Sequence, residues 1–173
     1  MDALEAIQKR YSCRSFSKEQ ISEEQTQALI AAAKAAPAAM GDYSGISLTV
    51  IQDEDARTRI ERETAHSMPM MGEHPTYEAP TLLLISVKEN ADFPMIPYCN
   101  ASCMAENIMI AAAAMELASV YVMAVPTGMQ QKSELLNGLG IDSAFLPVVM
   151  IAIGCAKDCM GERKGKNIAV KLI

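Results

Sequence analysis

The sequence predicts an α+β protein in which helices pack against a central sheet. Two continuous apolar runs, at residues 81–87 and 147–154, have the composition of strands that are buried on both faces. A third run, at residues 46–52, alternates apolar and polar side chains, which is typical of a half-buried strand. Segments with helical patterning lie between these runs, so helices and strands share one core.

The elements follow one another without an internal repeat or a linker, which indicates one domain over residues 1–173. Helices are predicted at residues 2–10, 22–35, 53–64, 100–117 and 130–139, strands at residues 46–52, 81–87, 120–125 and 147–154, and a loop at residues 65–79. The loop contains both histidines, His66 and His74, and its length is typical of an active-site cover.

Local signals support the predicted helices. Ser22 and Gln25 match a capping box, and Pro37 follows the end of the helix that they open. Dense mixed charge at residues 53–64 is typical of a solvated helix. The second half of the 100–117 segment is apolar all round, as in a helix buried in the core or in a subunit interface.

Composition also marks the remaining elements. Residues 120–125 are mainly β-branched or aromatic, which favours a strand, and glycines end the 130–139 helix. The chain finishes with an apolar, strand-like stretch at residues 168–173. Such an end needs a surface to cover it, and the sheet edge of a second subunit is one solution.

Charge and hydropathy exclude several classes of protein. The net charge of −6 argues against nucleic acid as the main partner. The first residues lack the blocks of a signal peptide, and no apolar run reaches the roughly 18 residues of a membrane span. We therefore expect a cytoplasmic protein that binds neither nucleic acid nor a membrane.

The five cysteines are an odd number, which indicates reduced thiols. Four of them form two pairs with i, i+4 spacing, and four thiolates could hold zinc or an iron–sulfur cluster. The usual Cys-x2-Cys spacing is absent and no histidine lies nearby, so we predict no metal. The cysteines are Cys13, Cys99, Cys103, Cys155 and Cys159.

The most informative motif places Arg10, Ser12 and Arg14 at every second position. In an extended backbone this spacing puts all three side chains on one side. Two guanidinium groups and a hydroxyl offer donors that suit the oxygens of a phosphate group. Taken alone, the motif also fits a solvated basic turn.

Residues 10–16 resemble the opening motif of the FMN-dependent nitroreductase family, in which Arg-x-Ser-x-Arg holds the flavin phosphate. Five further likenesses follow in the family's order. They are residues 36–41 with the flavin-facing loop, 77–86 with an Ala-Pro-initiated strand, 102–107 with the start of the central helix, 117–121 with the approach to the next strand, and 140–154 with the last core strand. The chain is thereby identified as a short, single-domain member of the family.

The resemblance implies an α-β-α sandwich whose central sheet is mixed and mainly antiparallel. It also implies an intertwined homodimer whose C-terminal strand joins the partner's sheet. The implied activity passes hydride from NADH or NADPH to an electron-poor acceptor by a ping-pong mechanism. The acceptor is a nitroaromatic, a quinone, an enone or a flavin.

FMN is the cofactor that the resemblance implies, and the flavin itself carries the chemistry. Its phosphate would be held by Arg10, Ser12 and Arg14, and by Lys164 and Lys166 near the C-terminus. The partner's loop would pass near the ring, and a segment after the predicted strand would direct backbone amides at the ring's redox-active nitrogen. These two segments are Pro37, Ala38, Ala39, Met40 and Gly41, and Met123, Ala124 and Val125.

One departure from the family pattern keeps other functions open. Residues 41–45 replace the family's Asn-x-Gln-Pro-Trp, so the amide side chain that would contact the ring is missing at Gly41. The alternatives are a non-catalytic FMN-binding or redox-sensing flavoprotein, and an interaction protein that kept only the fold. The sequence does not choose a proton donor among His66, His74, Tyr43 and Tyr77.

Overall fold

A four-stranded sheet forms the centre of the computed structural model, which describes residues 1–158 and 167–173. The strands lie in the order β1-β2-β4-β3, and each neighbouring pair is antiparallel. This confirms the predicted α+β fold with a mainly antiparallel sheet. The strands are β1 (Ile46–Ile51), β2 (Thr81–Val87), β3 (Ala118–Val122) and β4 (Leu146–Gly154).

Helices cover both faces of the sheet within the described part of the chain. The capping box is present, because Ser22 Oγ accepts from Gln25 N at 3.1 Å and Gln25 Oε1 accepts from Ser22 N at 2.8 Å. The helices are α1 (Ala3–Lys9), α2 (Glu23–Lys34), α3 (Glu54–Ser67), α4 (Ile96–Ala114), α5 (Ala124–Met129) and α6 (Ser133–Gly138), with short 3₁₀ turns at Ala39–Gly41 and Pro69–Met71.

The two faces of the sheet bury two separate apolar clusters. Leu83 on β2 and Ile108 on α4 belong to the cluster beneath α2 and α4. Leu84, the next residue of β2, points to the other face and joins Ile60 of α3 and Met129 of α5. Since successive strand residues alternate between faces, one buried strand supplies both cores. All seven residues of β2 are buried.

Proline positions explain two errors in the predicted element ends. Helix α4 begins at Ile96 rather than at residue 100, because Pro97 lies in its first turn, where a missing N–H costs nothing. Strand β3 ends at Val122, so the strand predicted over residues 120–125 was wrong at its last three residues. Pro126 lies in the first turn of α5, which those residues lead into.

Two further helices, on the α3 side of the sheet, have ends that differ from the predicted ones. Helix α3 continues to Ser67, so the predicted loop begins only at Met68 and His66 is helical. The helix predicted over residues 130–139 is shorter, because a turn in which Lys132 N donates to Met129 O at 2.9 Å precedes α6. No helix among the described residues has the length and hydropathy that a membrane crossing requires.

The two edge strands of the sheet differ in their surroundings. Beside β3, the chain after α1 forms a parallel bridge between Ser12 and Ser119, and Cys13 N donates to Ser119 O at 2.9 Å. Among residues 1–158 and 167–173, no segment pairs with the outer edge of β1. Residues 167–173 form no helix or strand within the chain, and their apolar side chains are exposed.

Candidate functional site

The segment with the basic motif runs along the edge of β3. Its bridge to Ser119 gives it the extended form that the alternating pattern predicts. Cys13 is 5% exposed and packs into the core, whereas Ser12 and Arg14 are exposed and Arg10 is half-buried. The core therefore takes the intervening cysteine and leaves Ser12 and Arg14 towards solvent.

Glu106 of α4 fixes the first arginine of this motif. Its Oε1 lies 3.2 Å from Arg10 Nε, and the arginine side chain is only 20% exposed. Arg10 also closes α1, since its N–H donates to Ala6 O at 2.9 Å. Sequence reasoning missed the contribution of Glu106, and its position within the 102–107 motif was the only available signal.

The 37–41 loop is anchored to the first half of α4. Asn100 Oδ1 accepts from Ala39 N at 3.0 Å, so an amide oxygen of α4 holds the turn. Met40 and Gly41 both have positive φ, of 57° and 67°. Glycine adopts that conformation without the steric cost that a side chain meets, which explains the residue at position 41.

Asp42 and Tyr43, which follow this turn, already make contacts within the loop. Asp42 Oδ1 accepts from Ser44 Oγ at 2.7 Å and from Ser44 N at 2.9 Å. The hydrogen bond from the Ser44 hydroxyl lowers the pKa of Asp42 below its ordinary value. Tyr43 donates its hydroxyl hydrogen to Ala36 O at 2.9 Å.

The third predicted segment lies where β3 passes into α5. Met123 is 61% exposed and Ala124 is half-buried, whereas Val125 is fully buried and exposes neither its side chain nor its backbone. The first N–H groups of a helix have no partner within that helix, and here they belong to Ala124 and Val125. Helix α5 also packs closely on α3, because a Cβ built on Gly128 would lie 3.5 Å from Thr64 Cγ2.

Helix α4 connects two of the predicted segments. It holds Arg10 through Glu106 and the 37–41 loop through Asn100. These two side chains are six residues apart, which corresponds to about 9 Å along a helix axis. Strand β3 connects the basic segment, at Ser119, with Met123 beyond its end. Lys164 and Lys166 lie outside the described residues.

The remaining chemical candidates lie on α3, on α4 or in the loop that follows α3. His74 contacts Glu61 of α3 at 3.0 Å, and His66 is exposed on α3. Cys99 and Cys103 are exposed on α4. Within residues 1–158 and 167–173, no group of three or more histidine, cysteine or acidic side chains is arranged to hold a metal ion.

Comparison with known proteins supports the fold and points to one family. The model of the nitroreductase family matches residues 7–155. A nitroreductase with bound FMN from Desulfitobacterium hafniense is 19% identical, with a TM-score of 0.86 over 99% of this chain and 100% of that one. A nitroreductase with bound FMN from Bacteroides fragilis is 22% identical, with a TM-score of 0.85 over 100% of this chain and 99% of that one.

A third solved structure has the same fold. It is an FMN-dependent nitroreductase from Clostridium difficile, 22% identical, with a TM-score of 0.84 over 99% of each chain. At such identities the structural likeness demonstrates the fold, and the family model carries the assignment of the family. No curated protein sequence matches the chain at a significant level.

Proposed function

Since the chain belongs to the nitroreductase family, we propose that it is an FMN-dependent oxidoreductase. It passes hydride from NADH or NADPH to an electron-poor acceptor, a nitroaromatic, quinone, enone or flavin, by a ping-pong mechanism. The observation that carries the proposal is the basic segment at the β3 edge, with Arg10 fixed by Glu106 and with Ser12 and Arg14 towards solvent.

The donor chemistry of this segment fits the phosphate of FMN. Hydrogen bonds from guanidinium groups to phosphate oxygens are charge-assisted, and the Ser12 hydroxyl adds a neutral donor. The chain as a whole carries a net charge of −6, so this anion site depends on local positive charge. We propose Lys164 and Lys166 as further phosphate contacts.

The protein's own groups bind and orient, while FMN, when bound, supplies the hydride-transfer chemistry. Asn100 fixes the turn at residues 37–41, which we propose to contact the ring in the partner subunit. The first N–H group of α5, at the half-buried Ala124, is proposed as a donor to the ring. Donors at that position would stabilise negative charge that develops on the flavin.

The proposal is tested first by the absorption spectrum of the purified protein and by identification of any released chromophore. We expect FMN, bleaching of its absorbance by NADH or NADPH without oxygen, and recovery when a nitroaromatic or quinone is added. Bleaching without recovery by any acceptor would favour the non-catalytic or redox-sensing flavoprotein. A colourless protein that takes up no added FMN would exclude both.

We further propose a homodimer in which residues 168–173 of each chain join the partner's sheet at β1. This edge strand has six residues, the same number as the apolar tail. Beside it lies a groove between β1, α2 and α4, lined by side chains that include Ile30, Ile46 and Leu48. Ile168 and Leu172 are 80% and 96% exposed within one chain, so they need such a surface.

Substitutions in the tail test this assembly. The Val170→Lys/Leu172→Lys double variant should convert a dimer, of twice the chain mass of 18.7 kDa, into a monomer, because charge replaces apolar burial. Lys171→Ala is the matched control, which changes the polar residue between them and should stay dimeric. Light scattering coupled to gel filtration measures the mass, and an unchanged dimer in the double variant would contradict the proposed exchange.

A further inference from the structure

One carboxylate on α3 gathers three contacts from a single stretch of chain. Thr76 Oγ1 donates to Glu61 Oε1, and Glu78 N approaches the same oxygen at 3.4 Å. His74 Nδ1 lies 3.0 Å from Glu61 Oε2. The Glu61 side chain is only 13% exposed, so these groups replace much of its hydration.

The same stretch contains two consecutive residues in a conformation that side chains disfavour. Tyr77 and Glu78 have φ values of 59° and 54°, in the left-handed region. A side chain in this region crowds the following carbonyl oxygen, so both residues are less stable here than in the ordinary region. Such a backbone persists when its surroundings hold it, and Glu61 contacts residues before, within and at the end of this turn.

A second side chain of α3 binds the end of residues 72–79. Arg57 lies one helical turn before Glu61, and its Nη1 donates to Ala79 O at 3.2 Å. Ala79 is fully buried and leads directly into the central strand β2. The two α3 side chains therefore hold the turn between its exposed part and its buried end.

The start of the stretch borders the helix that we propose to face the ring. It follows the 3₁₀ turn at Pro69–Met71, and the neighbouring Met68 packs against Gly128 of α5.

We propose that residues 72–79 form a latch that Glu61 holds closed against α3, and that protonation of His74 tightens it. The closed state is the one described, with three contacts to one carboxylate and the strained turn in place. In the open state the contacts to Glu61 are lost, and Tyr77 and Glu78 relax to negative φ. Arg57 keeps the β2 end attached, so the opening is confined to the latch.

The direction of the pH effect follows from the charges around His74. Its hydrogen bond to Glu61 raises the pKa of His74, Glu73 and Glu78 act in the same direction, and desolvation opposes them. Below this raised pKa the imidazolium forms an ion pair with the Glu61 carboxylate. As pH rises through it, the charge of His74 disappears and the latch loosens. The pKa of an unperturbed histidine is about 6.5, so the transition lies above that value.

A tryptophan placed in the latch reports its closure, because the natural chain contains none. Tyr77→Trp puts an indole at a half-buried position that packs on the α3-side core. Acrylamide quenching of its fluorescence between pH 5.5 and 9 should increase, with a red shift of emission, in one transition above pH 6.5. His74→Gln in this background should abolish the transition, because glutamine keeps a donor but does not titrate.

Two matched controls separate the latch from general effects. His66→Gln removes the other histidine and should leave the transition unchanged. Glu61→Gln should raise quenching at every pH, with an opening equilibrium about tenfold larger, since the charged acceptor is lost. Glu63→Gln, also on α3, should leave quenching unchanged. Persistence of the transition in His74→Gln, or equal quenching in Glu61→Gln and Glu63→Gln, would overturn the latch.

A second measurement covers the case in which Tyr77→Trp does not fold. Hydrogen exchange of a peptide spanning residues 72–80, corrected for the intrinsic pH dependence, should be faster at high pH in the natural chain. His74→Gln should lack this pH dependence, and Glu61→Gln should exchange faster at every pH. Exchange that is equal in all three proteins would refute the latch. Fluorescence quenching and hydrogen exchange do not depend on flavin turnover, so they test the latch separately from the proposed function.

Discussion

Gly154→Ala is expected to lower the free energy of unfolding by about 3 kcal/mol, because the end of β4 has no room for a side chain. A Cβ on Gly154 would lie 2.7 Å from Pro80 Cδ, 2.8 Å from Pro80 Cγ and 3.3 Å from Phe16 Cδ1. A proline ring cannot rotate away as a flexible side chain can, and Pro80 directly precedes the central strand β2. The added methyl group must therefore move backbone at the centre of the sheet.

Denaturant unfolding of the natural chain and the variant measures this effect. Gly45→Ala is the control, because a Cβ there meets only Lys88 Cβ, at the ordinary contact distance of 3.8 Å. The double variant Gly154→Ala/Pro80→Ala should recover part of the loss, since it removes the clashing ring, and a double-mutant cycle isolates that coupling. If Gly154→Ala and Gly45→Ala unfold at the same denaturant concentration, the close approach of Gly154 to Pro80 does not affect the free energy of unfolding.

Arg14→Ala is expected to weaken FMN binding by roughly tenfold to a hundredfold. Removing one charge-assisted hydrogen bond costs about 1.5–3 kcal/mol, and 1.4 kcal/mol corresponds to a factor of ten in affinity. Arg14 is exposed, so its loss should leave the stability of the fold nearly unchanged. Titration of FMN into flavin-free protein, followed by quenching of flavin fluorescence, gives the dissociation constant.

The matched control for this variant is Arg62→Ala. Arg62 lies on α3 with a side chain that is 72% exposed, and its removal changes the net charge by the same amount. A general electrostatic effect would weaken FMN binding equally in both variants. Loss of a direct phosphate contact would weaken FMN binding only in Arg14→Ala. An unchanged dissociation constant for Arg14→Ala would contradict the phosphate assignment, even if the protein binds FMN by other groups.

The sheet and the larger helices could be predicted because their signals are local. The apolar runs that became β2 and β4 are buried, and the capping box at Ser22 is formed by side chains three residues apart. One error arose where a helical signal competes with a strand-like composition. The β-branched residues near Val125 favoured a strand, whereas Pro126 in a first helical turn gives α5.

Much of the candidate site could not be predicted because its anchors join distant parts of the chain. Asn100 holds Ala39 across 61 positions, and Glu106 holds Arg10 across more than half of the sequence. No local pattern marks such a pair, since each partner alone fits a solvated helix or loop. The shared side of Arg10, Ser12 and Arg14 could be predicted, because in an extended chain every second side chain lies on the same face.

Under the proposed strand exchange, the edge of β1, which pairs with no segment in the described part of the chain, makes the fold depend on how many copies of the chain are present. Unpaired strand edges template the addition of another strand, whatever its source. In the proposed dimer, a newly made subunit at low abundance exposes this edge until it meets a second copy, and we expect its apparent stability to rise with concentration. Dilution, rather than heat or denaturant, should then be the mildest way to expose this protein to aggregation or proteolysis.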